Sequence, residues 1–570
     1  MITSTPERID QYVKQGLWEN KTLHGLLRES RNKHPQTLAV ADQPNRIELT
    51  GTNSQRLSFL DLDQASTNLA CKLLEYGLVR DDCVVVQLPN IVELMVLYMA
   101  VSKIGIIISP IPIQYGAHEI SHICGSVLPK AFITIDRFRD NKLAATAYQL
   151  IGSEIPVFSF GDSCSGVRHL ALECALMKNH DVLLENYQAS WPVTGDHIIT
   201  ICWTSGTTGT PKGVPRSHNM WVTVCRSCIE AGEIQPGERL LNPFPMVNMA
   251  ALATFLYSSA LLGCSVILHH PLDPIVFLKQ IEDEKINFTI APPALLNQLA
   301  KSEEMWNQFD FSSLRSIGSG SAPLAAWMID VFDNKYKKRV VNFYGSNEGI
   351  SLVSNYKIAP DSETRASMFP RLGAGVVDWH LNSDRYIQTK VLDLVSREEI
   401  TIAGQIGELA VRGATIFDGY LNYDNSEVFT SDGYFLTGDL VEICGSPPNY
   451  LRIAGRSKDI INRGGMKISP TEIDVLLEGL PNTLESSVCS YTDDRLGEKV
   501  CACVVADSSA QAPNLAEIID YLSEKGLAKF KLPERLELLD ALPRNPIGKV
   551  QRFMLQDIVS KRPNLGEKSA

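Results

Sequence analysis

From residue 83 the chain alternates short apolar runs with longer amphipathic ones: CVVVQLP, IVELMVLYMAVSKIG, IIISPIP, HEISHICGSV and KAFITI. The short β-branched runs suit strands buried on both faces, and the longer ones carry a helical period. The alternation returns between Arg239 and Tyr344, where RLLNPFP, CSVILHH, INFTI, LRSIG and RVVNFY read as strands and helices begin near Met249, Pro274, Pro293 and Pro323. Strands that alternate with helices pair in parallel through crossovers. The pattern therefore predicts an α/β protein with two doubly wound layers.

Residues 370 to 455 differ, with Gly-rich turns and strands such as GELAVRG and YLRIAGR, so a small β-rich subdomain is expected to close the large domain near Arg456. Beyond it Ser469, Pro470 and Glu472 supply an N-cap, a first-turn proline and a capping-box acid, and Asn514 with Glu517 repeats the device, with Gly526 as its stop. The domains are read as 1–456 and 457–570, since 570 residues exceed one ordinary core. A net charge of −12 argues against a nucleic-acid binder. The longest apolar stretches are broken by Gly, Cys or Pro, short of an integral membrane segment. The start, MITSTPERID, lacks a basic region followed by an apolar run, and the end, GEKSA, carries no address motif, so a cytoplasmic location is expected. Thirteen scattered cysteines suit reduced thiols. Cys225 and Cys228 form a C-x-x-C without a second ligand pair, and core packing is the plain reading.

Residues 204–213, TSGTTGTPKG, follow the strand-like DHIITICW and precede the helical SHNMWVTVCRSCIEAG. Glycines and hydroxyls leaving a strand can wrap anionic oxygens, and Lys212 adds a compact positive charge. Phosphate is the natural guest; a flexible surface turn is the alternative. A Walker loop needs glycine before its lysine and Ser or Thr after it, but Pro211 and Gly213 stand there, which disfavours an ordinary P-loop.

The loop resembles the phosphate-binding signature of the adenylate-forming superfamily, which includes acyl-CoA synthetases, luciferases and the adenylation domains of nonribosomal peptide synthesis. Five further segments match in order: GSGSAPL at 318–324, NFYGSNEG at 342–349, TGDL at 437–440, GRSKDIINRGGMKISPTEID at 455–474 and PRNPIGKV at 543–550. The resemblance spans nearly the whole chain and implies ATP, Mg²⁺ and, as second substrate, coenzyme A. It implies that Thr204, Ser205, Gly206, Thr207, Thr208, Gly209 and Lys212 grip the phosphates, and that Gly320, Ser321 and Ala322 form a narrow shelf beside adenine. Tyr344 would stack on the other face and Asn342 would bond the exocyclic amine, with Gly345, Ser346 and Asn347 completing the ATP-binding turn. Asp439 is implied for the ribose hydroxyls, Arg456 for ribose or a phosphate, and Glu348 for the metal. Lys549 would stabilise charge on the carboxylate and α-phosphate. The implied chemistry is attack of a carboxylate on the α-phosphorus, giving an acyl-adenylate and pyrophosphate, followed by displacement of AMP. In this family the small C-terminal domain is mobile, pivoting at Lys458, and Gly464 and Gly465 would leave room for a pantetheine arm.

Asn347 stands where most members have threonine, and its amide can donate to an α-phosphate oxygen. The segment PFPMVNMAALATF at 243–255 lies along the acyl pocket in relatives. It holds no Asp for an amino-acid ammonium group, and Asn248-Met249 replaces the His-Asn usual in dihydroxybenzoate-activating ligases, which the tail segments GRSKDIINRGG and GLAKFKLPERLELLDALP resemble. Asn248, Met249 and Leu252 are the expected pocket residues, suited to an aliphatic or alicyclic carboxylate, although helical periodicity gives part of this segment to the core. The reading is an AMP-forming acyl-CoA synthetase of fatty acid metabolism. The alternatives are a stand-alone adenylating enzyme loading an acyl or aryl acid onto a separate carrier protein, a nucleotide-binding scaffold without turnover, and other uses of an acyl-adenylate such as light emission. Lys531 and Arg463 are candidate CoA phosphate partners by charge and location.

Overall fold

Buried parallel strands frame the computed structural model, which describes residues 1–161, 164–204, 211–320, 322–456, 459–464, 466–493, 495–507, 511–545 and 548–562. The chain divides into two compact units, Met1–Gln388 with Val411–Phe435, and Thr389–Ala410 with Leu436–Ala570. In the first, a seven-stranded sheet runs Arg168–Leu170, Val157–Phe160, Ala131–Ile135, Cys83–Gln87, Ile107–Pro110, Ile198–Thr204, Lys212–Ser217, parallel throughout except at the last pair. An eight-stranded sheet runs Ser351–Ser354, Arg339–Gly345, Ser316–Gly320, Phe288–Ile290, Arg239–Asn242, Ser265–Leu268, Leu38–Ala41, Arg56–Ser58, parallel in its middle and antiparallel at both ends. The two expected layers are present.

One core joins them, with Val84, Ile108 and Ile199 of the first sheet in the same cluster as Leu240, Val266 and Phe288 of the second. The Val92–Ile104 helix lies in that cluster with all 13 residues buried, because apolar side chains on every side leave it no polar face. Its one cation, Lys103, donates to Asp63 Oδ1 at 2.7 Å and Thr67 Oγ1 at 2.8 Å, as a buried charge requires.

Two local expectations differ. The sequence passes from the phosphate loop straight to a helix, whereas the structure inserts the Lys212–Ser217 strand, whose Pro215 is tolerated because the strand is at a sheet edge. The helix expected from Pro323 begins at Ala326. The helix expected near Met249 continues to Leu262 with a π-helical segment at Leu252–Tyr257.

In the second unit Phe435–Cys444 pairs antiparallel with Tyr450–Arg456, setting Asp439 opposite Arg456. Thr483–Asp493 and Gly497–Ala506 form a long antiparallel pair, with Arg535–Leu538 parallel to the second strand. Helices Pro470–Leu477 and Leu515–Glu524 supply Ile473, Leu477, Ile518 and Leu522 to its core. Asn514 and Glu517 make the expected capping box. Ser469 does not: its hydroxyl donates to Ala454 O, and Glu472 accepts from Lys531 Nζ at 2.7 Å. A stronger partner from elsewhere in the fold takes each capping group. No helix among the described residues is long and apolar enough to cross a membrane. All thirteen cysteines are free thiols, and Cys225 and Cys228 are buried in the His218–Gly232 helix.

Candidate functional site

The strand Ile198–Thr204 ends at Thr204, directly opposite Lys212 on the neighbouring edge strand. Residues 205–210 between them, including Ser205, Gly206, Thr207, Thr208 and Gly209, lie outside the described residues, as do Ser321, Lys458 and Gly465. Lys212 Nζ stands over two tyrosine faces, 3.9 Å from the Tyr423 ring centre and 4.7 Å from that of Tyr420. The ring quadrupoles hold the ammonium without committing a carboxylate to it. The Tyr420 hydroxyl donates to Glu348 Oε1 at 2.7 Å, and Glu348 is only 8 % exposed. Lys212, Tyr420 and Glu348 thus form one connected group. The two tyrosines were missed by the sequence reading, because nothing in GYLNYDN marks a contact made more than 200 residues away from Lys212.

Glu348 sits in the tight turn that joins Arg339–Gly345 to Ser351–Ser354. Ser346 N donates to Ile350 O at 3.2 Å and Gly349 N to Ser346 O at 3.0 Å. Gly349 has φ +107° and would drive a Cβ into Thr415 O, so only glycine fits. The Ser346 hydroxyl is buried and has no hydrogen-bond partner among the described residues. A carboxylate and an orphaned hydroxyl on one turn are both hard oxygen donors, so the residues present fit the implied Mg²⁺.

Asn347 is engaged at three atoms. Its Nδ2 donates to Trp203 O at 3.1 Å, its Oδ1 accepts from Met249 N at 3.0 Å, and its carbonyl accepts from Arg216 Nη1 at 2.8 Å. The amide read as an α-phosphate donor therefore straps the root of the phosphate loop to the start of the acyl segment. Arg216 beneath it has no exposed surface, lies 4.8 Å from the Trp221 ring centre, and is pushed down to about 10 by burial. Asn248 caps its helix, accepting from Ala251 N at 3.3 Å. Met249 keeps 9 % exposure and packs against Gly345, whereas Leu252 is wholly enclosed in the core.

The expected adenine residues share two adjacent strands. A Cβ on Gly320 would collide with Phe343 O of the paired strand, so packing alone demands glycine there. Ala322 is exposed. Asn342 Nδ2 donates to Arg365 O at 3.0 Å and Ala366 O at 2.8 Å, which fixes the amide plane. Its other atom, Oδ1, is an acceptor, the group an exocyclic amine needs. Tyr344 lies 5.6 Å from Phe369, the rings tilted by 47°.

The second unit holds the remaining candidates. Asp439, 5 % exposed, accepts from Arg456 Nε at 2.7 Å across their paired strands. Lys549 lies in a turn in which its N–H donates to Asn545 Oδ1 at 2.8 Å and its carbonyl accepts from Asn545 N at 2.9 Å. The residue keeps open surface, yet its ammonium is held down to about 8. Crowding by protein atoms is the main cause and Arg456 the next, with Asp439 and Asp459 pulling the other way. Gly464 turns the Ile461–Arg463 and Met466–Ile468 hairpin at φ +56°. Arg463 makes a two-pronged bond to Glu534 at 3.0 and 2.8 Å, and Lys531 reaches both oxygens of Glu472 at 2.7 Å.

Comparison with known proteins agrees in both halves of the chain. Residues 28–421 match the family described as AMP-binding enzyme, and residues 472–549 match the AMP-binding enzyme C-terminal domain. The 2,3-dihydroxybenzoate-AMP ligase of Bacillus subtilis (strain 168) is 26% identical, covering 98% of this chain and 98% of its own length. The medium-chain fatty-acid–CoA ligase of Escherichia coli (strain K12) is also 26% identical, covering 98% of this chain and 94% of its own. The crystal structure of ATP-bound MatB from Rhodopseudomonas palustris shares the fold, with a TM-score of 0.75 and 24% identity over 95% of this chain and 99% of that one.

Proposed function

The chain belongs to the AMP-binding enzyme family and is an adenylate-forming ligase that uses ATP, and on that premise we propose that it activates an aliphatic or alicyclic carboxylic acid and transfers the acyl group to coenzyme A. The acid's carboxylate oxygen attacks the α-phosphorus, the bond to the bridging oxygen of pyrophosphate breaks, and an acyl-adenylate forms. The CoA sulfur then attacks the acyl carbon and AMP leaves, giving a thioester.

The roles follow from charge and shape. Lys212 holds the β- and γ-phosphates that depart as pyrophosphate, helped by Thr204 and the loop residues. Glu348 and Ser346 are the groups that would hold Mg²⁺, which supplies neutralisation of triphosphate charge. Tyr344, Asn342 and Gly320 receive adenine, Asp439 and Arg456 the ribose and its phosphate. Lys549 stabilises the charge that gathers on the reacting oxygens. The observation that carries the reading is the connected group of Lys212, Tyr420 and Glu348, which offers a cation with no carboxylate partner among the described residues beside a buried acid. Met249 and Val247, without a histidine or acid among their neighbours in the segment, support an apolar acyl group.

A second reading has its own support. Arg463 and Lys531, the candidate partners for CoA phosphates, are each paired with a carboxylate, Glu534 and Glu472. Together with the likeness to a 2,3-dihydroxybenzoate-AMP ligase, this favours an aryl acid passed to a separate carrier protein. One experiment separates the two: pyrophosphate release with octanoate, cyclohexanecarboxylate, benzoate and 2,3-dihydroxybenzoate, each with and without CoA. Fastest release with the first two acids and CoA-dependent AMP formation are expected. Preference for 2,3-dihydroxybenzoate with no effect of CoA would establish the second reading in place of the first.

A further inference from the structure

Three thiols converge in the second unit, on the face of the sheet covered by the C-terminal helix. Cys489 on Thr483–Asp493 is paired with Cys501 on Gly497–Ala506, and Cys503 is two residues further along, so all three side chains share one face. Their sulfur atoms lie within 4.8 Å of one another, with Cys489 and Cys503 at 3.9 Å. None exceeds 1 % exposure, and Leu542 with Leu555 and Val559 of the Arg552–Lys561 helix closes over them. They are the only group of His, Cys, Asp and Glu among the described residues with metal-ligand spacing.

The geometry discriminates between the two things clustered thiols do. Cys489 and Cys503 are diagonal neighbours across the pair, where Cα atoms stand roughly 7–8 Å apart. A disulfide wants about 6.8 Å at most. Only the directly opposed Cys489 and Cys501 could take one, and Cys503 would be left over. A metal–sulfur bond of about 2.3 Å, by contrast, lets one ion bridge sulfurs up to roughly 4 Å apart in a triangle and somewhat more in a line. That is the spacing observed.

We propose that Cys489, Cys501 and Cys503 form a binding site for one soft monovalent cation of the copper(I) class. Zinc prefers four ligands, whereas among the described residues no fourth His, Cys, Asp or Glu joins the three thiols, and the cluster around them is hydrophobic. Soft sulfur ligands suit copper(I) in low coordination. The step balances as Cu⁺ + 2 RSH → Cu(SR)₂⁻ + 2 H⁺, with the third thiol as a neutral ligand. The site uses none of the groups assigned to ATP or the acid.

The test is an anaerobic titration of the reduced full-length protein with copper(I) against the chelator bicinchoninate, with ultraviolet sulfur-to-copper charge-transfer absorption as readout. One retained equivalent and release of two protons per ion are expected, and Cys489→Ser or Cys503→Ser should abolish the band while Cys225→Ala leaves it. Copper K-edge absorption on the wild-type complex should show a shell of two or three sulfurs only, a result that does not depend on whether a variant folds. Failure of the wild type to compete with bicinchoninate, a nitrogen or oxygen shell, unchanged retention in both serine variants, or equal retention of zinc(II) would each overturn the assignment.

Discussion

Lys212 and Lys549, one in each compact unit, are held in opposite ways. Lys212 rests on the faces of Tyr423 and Tyr420, which attract its charge without neutralising it. Lys549 is crowded by protein atoms beside Arg456 and is held down to about 8, so its charge near neutral pH depends on its surroundings. The lysine proposed for the leaving group rests on aromatic faces. The one assigned to the reacting oxygens delivers a conditional charge, strengthened when anionic phosphate arrives and weakened when it does not. Differential binding of this kind is what lowers a barrier rather than merely gathering substrate.

The largest effect that sharpens the contrast is the loss of Lys549. Lys549→Ala should slow ATP–pyrophosphate exchange by about 10²–10³, the magnitude seen when one well-placed electrostatic donor is removed. Thioester formation from a supplied acyl-adenylate should be spared. Equal loss in both half-reactions would remove the distinction between the two lysines, because a general binding role would then explain both.

Next in size is the pH dependence. In the role proposed for Lys549 the protonated side chain is the useful form, so kcat/KM for ATP should fall as pH rises through about 8, by tenfold per unit well above it. Bound phosphates favour the ammonium, so the falling limb of kcat should lie at higher pH than that of kcat/KM. Lys549→Arg, permanently charged, should lose the limb while working more slowly. A limb that persists in the arginine variant would assign it to a different group.

How much of this is legible in the sequence depends on whether a feature is local. The runs CVVVQ, AFITI and RVVNFY declare themselves as strands because burial on both faces demands continuous apolar residues, and the structure makes them so. Lys212–Ser217 is hidden by Pro215, since a proline argues against a strand unless the edge position is already known. Ser469 shows the same limit at a helix end: its cap is spelled correctly, but Ala454 O takes the hydroxyl. At the candidate site, Lys212, Glu348 and Asn347 stand out in their motifs, whereas the tyrosines beneath Lys212 and the strap from Asn347 to Met249 arise only from tertiary folding.

The two tyrosines offer smaller tests, and their ranking decides what holds Lys212 in place. Tyr423→Leu removes the closer ring and should weaken ATP binding by about 0.5–2 kcal/mol, read as a rise in KM for Mg-ATP. The hydrogen bond to Glu348 comes from Tyr420, so the change at 423 tests the ring. Tyr420→Phe does the converse: it keeps a ring under Lys212 and removes the 2.7 Å bond to Glu348. One hydrogen bond to a carboxylate is worth about 1.5 kcal/mol at the low end of the range for charged acceptors, so a rise in KM of about tenfold is expected. If Tyr420→Phe proved the more damaging of the two, Lys212 would owe its place to the hydroxyl bridge rather than to the aromatic faces.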